Sequence, residues 1–134
     1  MDRLFLDANV LFSAAYRNDS GLLRLWKLGN ATLCSSGYAL EEARINLSDE
    51  NQKIRLAKLS ASLHLVEAGQ VPLPRGISLP EKDVPILLAA IEARSTYLLT
   101  GDVRHFGPYF SKKIQGITIM PPGEYLRFAF FGNR

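Results

Sequence analysis

Short apolar runs alternate along this chain with stretches of helical period, and the alternation predicts strands and helices in turn. Arg3 to Leu6 (RLFL) is an apolar run that ends at Asp7 and reads as a buried strand. Asn9 to about Tyr16 then starts a helix. Ser20 is placed to cap a second helix, with Leu22, Leu23, Leu25 and Trp26 as its apolar face and Gly29-Asn30 as its stop. Ala31 to Cys34 (ATLC) is a second strand. Beyond it, Leu40, Ala43 and Leu47 recur at helical spacing within Tyr38 to Leu47, and Ser35 or Ser36 is the cap.

Asp49 to Leu63 is a further helix, with Ile54, Leu56, Leu59 and Leu63 apolar and Lys53, Arg55 and Lys58 turned outward. Leu65-Val66 makes a short strand. Pro72, Pro74 and Pro80, with Gly69 and Gly76, make 69–80 an irregular connection. Asp83 to Arg94 reads as a helix because Pro85 falls in its first turn, where a missing N–H costs nothing. Tyr97 to Thr100 and Ile117 to Met120 are strands, and Glu124 to Phe131 is a closing helix. Trp26 is assigned to the core. Phe128, Phe130 and Phe131 exceed what one helix face needs, so core packing is expected of them first and a dimer contact second. Strands interleaved with helices imply an α/β sandwich around a largely parallel sheet of four or five strands.

Composition narrows this picture without changing it. A chain of 134 residues suits a single domain, 1–134, and its 47% hydrophobic and 22% charged content is that of a globular protein rather than a disordered one. The lone Cys34 excludes an internal disulfide and a zinc site of several thiolates, as expected in a reducing cytoplasm. No export signal is expected in Met1 to Leu6. Val84 to Ile91, broken by Pro85, is far shorter than the roughly 20 residues of a membrane span. The formal charge of +3 tolerates an anionic partner without demanding one.

Four acids stand where chemistry is expected. In open α/β sheets, ligands bind beyond the carboxyl ends of the strands. Asp7 and Asp102 each follow a predicted strand, Asp83 opens the helix leading to the Asp102 strand, and Glu41 and Glu42 ride on the helix after the second strand. Carboxylates gathered that closely raise one another's pKa unless a cation neutralises them. Oxygen ligands alone suit Mg²⁺ or Mn²⁺, ions that acidify water and stabilise charge on a scissile phosphate. Each acid also has a plain structural reading. Asp7 and Asp83 are both in position to cap helices, and a Glu pair is commonly a solvated helix face. Their joint recurrence at one predicted edge outweighs those readings.

The runs FLDANVLFSA (5–14), SSGYALEEARINL (35–47) and EKDVPILLAAIEARSTYLLTGDVRHF (81–106) resemble the three signature regions of PIN-domain nucleases. The run ITIMPPGEYL (117–126) is similar to that family's last strand and helix. The resemblance spans nearly the whole chain in order and spacing. It implies a PIN-like three-layer α/β/α sandwich and a Mg²⁺- or Mn²⁺-dependent endoribonuclease, most familiar as the VapC-type toxin of a toxin–antitoxin pair. It further implies RNA as substrate, products with 3′-hydroxyl and 5′-phosphate ends, a homodimer and an antitoxin partner. The family's acids map on Asp7, Asp83 and Asp102, and its neighbouring asparagine on Asn9. Helical periodicity leaves Glu41 and Glu42 both open. The resemblance favours Glu42, because the family's Glu stands five residues before a leucine and Leu47 follows at that distance. Thr100 matches a hydroxyl that orients a carboxylate or a water at the site, and Ser36 is expected to help hold the same edge.

Arg104, Lys112 and Lys113 lie after Asp102, where they can meet RNA phosphates or simply form a solvated loop. His105 follows Asp102 by three residues, where a general base or metal ligand can be imagined, but it and His64 are read as loop histidines, since the implied chemistry needs neither. Three competing classes remain. An inactive PIN-type module would bind RNA or protein without cutting, although all four acids are in place. A phospho-accepting receiver domain needs an acidic pair after the first strand and a lysine after the last, and here Asp7 stands alone and Met120-Pro121 follow. A flap-type DNA nuclease needs long insertions for which this chain has no room.

Overall fold

A computed structural model describes residues 1–131, apart from the Phe131 side chain, so the role expected of that side chain lies outside the described residues. The strands are β1 (Asp2–Leu6), β2 (Ala31–Ser35), β3 (His64–Leu65), β4 (Tyr97–Leu99), β5 (Lys113–Ile114) and β6 (Ile117–Met120). The helices are α1 (Ala8–Tyr16), α2 (Gly37–Asn46), α3 (Glu50–Ser60), α4 (Val84–Glu92) and α5 (Pro122–Phe131). The strands form one sheet in the order β3-β2-β1-β4-β6-β5, parallel throughout except for β5 against β6. The expected α/β architecture is therefore present, with six strands among the described residues in place of four or five. The extra one, β5, is a two-residue strand beside β6, too short to carry a period of its own.

The strand order reverses at β1. The chain runs from β1 outward to β2 and β3, then returns to lay β4 and β6 on the other side. Leu6 pairs in register with Leu99, so the residues after β1 and β4 emerge side by side, and the Asp7 N–H donates to the Leu99 carbonyl at 3.1 Å. Such a reversal opens a crevice between neighbouring strand ends.

The central strands are apolar because helices cover them. Leu4, Phe5, Leu6, Leu98, Leu99 and Ile119 are wholly buried, and α1 and α4 add Val10, Leu11, Ile86 and Leu87 to the same core. Helix α1 packs on α2 and α3, and α5 packs on the segment Gly21–Lys27. That segment, expected as a helix, is a 3₁₀ helix. Leu22, Leu25 and Leu28 stand three residues apart, and a three-residue turn aligns all of them on the core. Trp26 packs partly buried against the core and donates its indole N–H to the Leu59 carbonyl at 3.0 Å. At the closing helix Phe130 packs on the core while Phe128 is exposed. Among the described residues no helix is long and apolar enough to cross a membrane.

Candidate metal centre

At the crevice a cavity of about 410 Å³ is lined by Asp7, Glu42, Asp83 and Asp102, with Ala8, Asn9, Phe12, Ala43, Asn46 and Lys82 completing its wall. Each acid arrives by a different route. Asp7 terminates β1 and caps α1, its Oδ1 accepting the Ala8 N–H at 2.6 Å. Glu42 lies on the buried side of α2 next to Ala43. Its neighbour Glu41 points outward into a bidentate pair with Arg44. Asp83 stands at the cap position of α4, but its carboxylate makes no capping bond, so helix capping does not account for it. Asp102 is held in the turn after β4, where the His105 N–H donates to its Oδ1 at 3.0 Å.

Thr100 and Asn9 organise this edge. The Thr100 hydroxyl donates to Asp7 Oδ2 at 2.8 Å, and its oxygen accepts the Asp102 N–H at 3.1 Å and the Asn9 amide at 3.2 Å. Asn9 also donates to Asp7 Oδ2 at 3.2 Å and accepts the Gly101 N–H at 2.8 Å. Ser36 is buried, and its oxygen caps α2 by accepting the Ala39 N–H. Among the described residues it makes no bond to any of the four acids. Arg104, Lys112 and Lys113 are exposed and do not line the cavity.

The electrostatics are those of crowded acids. Burial pushes the Asp7 carboxyl up to about 6. The bonds from Thr100 and Ala8 work against that rise, and the charges of Asp83 and Glu42 add to it. Burial would also raise Asp102, but hydrogen bonds from the His105 main chain and ring outweigh it and hold this carboxyl below its usual value. Burial disfavours the Lys82 ammonium, yet its bond to Asp83 and the charges of Asp83, Glu42 and Asp102 hold it above its usual range. Asp83 is 6% exposed, and its Oδ2 is shut off from solvent without a hydrogen bond. A buried carboxylate oxygen without a donor is costly, and a divalent cation removes both that cost and the repulsion. An oxygen-rich donor set of this kind fits a hard divalent ion.

At the level of backbone the fold is shared. The chain is similar to a chain in the crystal structure of VapBC2 from Rickettsia felis bound to a DNA fragment from their promoter, with a TM-score of 0.63. That match has 15% identity and covers 89% of this chain and 98% of the other. Identity this low speaks for the fold, the PIN-like α/β/α arrangement, and not for the chemistry. No family model matches the chain, and no curated protein matches it.

The structure adds residues that periodicity did not single out. Lys82 reaches within 3.3 Å of Asp83 Oδ1 at the cavity wall, and its carbonyl accepts the Tyr38 hydroxyl at 2.7 Å. His105, expected to be a plain loop residue, places Nδ1 2.9 Å from Asp102 Oδ2 and 3.0 Å from Asp83 Oδ2. The one available signal was its spacing: three residues after Asp102, a turn folds the ring back over that carboxylate. The contact with Asp83 has no local signature at all.

Proposed function

We propose that this chain is a divalent-cation-dependent endoribonuclease and the toxin of a toxin–antitoxin pair. The observation that carries the reading is the meeting of Asp7, Glu42, Asp83 and Asp102 around one cavity at the strand reversal. On this reading those four acids hold Mg²⁺ or Mn²⁺. The ion, when bound, supplies positive charge for the scissile phosphate and acidifies water.

The chain's own side chains do the rest. Thr100 and Asn9 fix the Asp7 carboxylate through Oδ2, which orients it without further reorganisation during reaction. Phe12 and Ala43 give the cavity an apolar wall. Lys82 brings a cation to the same wall, where it can meet a phosphate oxygen. Arg104 and Lys112 on the connection after β4, and Lys113 at the start of β5, are exposed and extend positive charge for the flanking RNA backbone. The likeness to a chain of VapBC2, crystallised on DNA from its promoter, supports an antitoxin as partner. A homodimer and a cytoplasmic setting belong to the same reading.

Matched RNA and DNA oligonucleotides incubated with the protein and Mn²⁺ test the proposal. RNA is expected to be cut, DNA spared, and cutting lost on adding EDTA or in Asp7→Asn. RNA bound but left intact under all conditions would instead favour a binding module.

A further inference from the structure

The two oxygens of Asp83 have different surroundings. Oδ1 meets Lys82 at 3.3 Å, while Oδ2 lies buried beside the His105 ring and accepts no hydrogen bond. Nδ1 of His105 stands 3.0 Å from this Oδ2 and 2.9 Å from Asp102 Oδ2. The ring nitrogen meets hydrogen-bond geometry toward Asp102 alone, so Asp83 Oδ2 has no partner, and in the tautomer protonated at Nε2 the Nδ1 lone pair faces the same space. A cation between the three atoms satisfies all of them at once. Adjacent ligands of an octahedral ion with bonds of roughly 2.1 Å stand about 3 Å apart, the spacing found between Nδ1 and each of the two carboxylate oxygens. The three donor atoms lie within 4.8 Å of one another, and the ring is 26% exposed, which leaves an approach from solvent.

We infer that Asp83 Oδ2, Asp102 Oδ2 and His105 Nδ1 form a nitrogen-containing cation subsite that favours Mn²⁺ and later first-row ions over Mg²⁺. The inference rests on the proposed nuclease reading and specifies the ion that this site selects. Carboxylates alone serve Mg²⁺ well, whereas an imidazole nitrogen adds a softer ligand that Mg²⁺ gains little from and transition ions use. Asp83 then belongs to two neighbourhoods, offering Oδ1 toward Lys82 and Oδ2 to the subsite.

Pulsed electron paramagnetic resonance of the full-length protein loaded with Mn²⁺ tests this without any cleavage assay. The expected result is a ¹⁴N coupling from a directly bound imidazole in the wild type, absent in His105→Gln. Titrations of the two proteins are expected to show Mn²⁺ affinity falling about tenfold in the variant, with a smaller change for Mg²⁺. The wild-type spectrum stands even if the variant folds poorly. Mn²⁺ bound with no nitrogen coupling would overturn His105 as a ligand while leaving the four-acid nuclease reading intact. No Mn²⁺ bound at all would overturn both.

Discussion

The hydroxyl of Thr100 donates to Oδ2 of Asp7 across 2.8 Å, joining residues 93 positions apart at the ends of two neighbouring strands. Both groups are buried, and the same hydroxyl oxygen accepts bonds from Asn9 and from the Asp102 main chain. Thr100→Val keeps the shape but orphans these partners. It is expected to lower unfolding stability by about 1–3 kcal/mol and to raise the Asp7 pKa further. Thr100→Ser, which keeps the hydroxyl, is expected to retain most of both. Urea denaturation together with a pH titration of the Asp7 carboxyl by NMR measures the effect; a valine variant matching wild type in both would refute it.

Burial of Asp7 carries its own pH signature. Its carboxyl rises from 3.8 to about 6 on folding, so between those values the native chain holds a proton that the unfolded chain has released. In EDTA, Asp7's contribution to stability is therefore fully present at low pH and lost as the pH climbs through about 6. A shift of roughly two pH units corresponds to about 3 kcal/mol. Asp7→Asn is expected to flatten this part of the stability curve. An unchanged slope between pH 4 and 6 in the variant would rule out Asp7 as its source.

A divalent ion is expected to reverse that penalty. At about a hundredfold excess over its Kd, Mn²⁺ is expected to stabilise the wild type at pH 7 by about 2.7 kcal/mol, visible as a rise in Tm. Asp7→Asn and Asp83→Asn are expected to lose most of this rise. Equal shifts in wild type and both variants would place the ion elsewhere.

The two glutamates of α2 separate cleanly by position. Glu42 lines the cavity, and Glu41 is paired with Arg44 on the exposed face. Glu42→Gln is expected to lower metal-dependent RNA cleavage by roughly a hundredfold or more, and Glu41→Gln to leave it within about twofold. Steady-state cleavage rates of the two variants decide between them, and a reversed order would move the ligand to Glu41.

Lys82 is expected to act on substrate at the cavity itself. Lys82→Met is expected to reduce kcat/KM for RNA by about tenfold while Mn²⁺ still raises the Tm. Substituting Lys112 and Lys113 together is expected to weaken RNA binding and make it less salt-dependent, with kcat retained. A Lys82 variant with unaltered cleavage kinetics would return this lysine to a purely structural pairing with Asp83.

The elements were legible wherever a run was long enough to show its period. The strand before Asp7, the strand before Thr100 and the capped helix at Ser36 all announce themselves through apolar runs and turn residues. β5 does not, because Lys113 and Ile114 alone carry no alternation. The 3₁₀ form of Gly21–Lys27 was hidden for another reason: Leu22 and Leu25 fit a turn of either pitch, and only docking on the core selects one. His105 illustrates the limit for sites. Its bond to Asp102 is local, but its approach to Asp83 depends on α4 and the turn after β4 packing side by side.

The sequence alone determined which residue types stood at which strand and helix ends, since apolar period, caps and proline placement act over a few neighbouring positions. Tertiary structure alone decided which ends became neighbours. Strand order set Asp7 against Thr100, and the rotation of α2 turned Glu42 toward the cavity and Glu41 away from it. The physical reason is that these contacts are fixed by sheet pairing and core packing across the whole chain. No window of nearby residues contains that information.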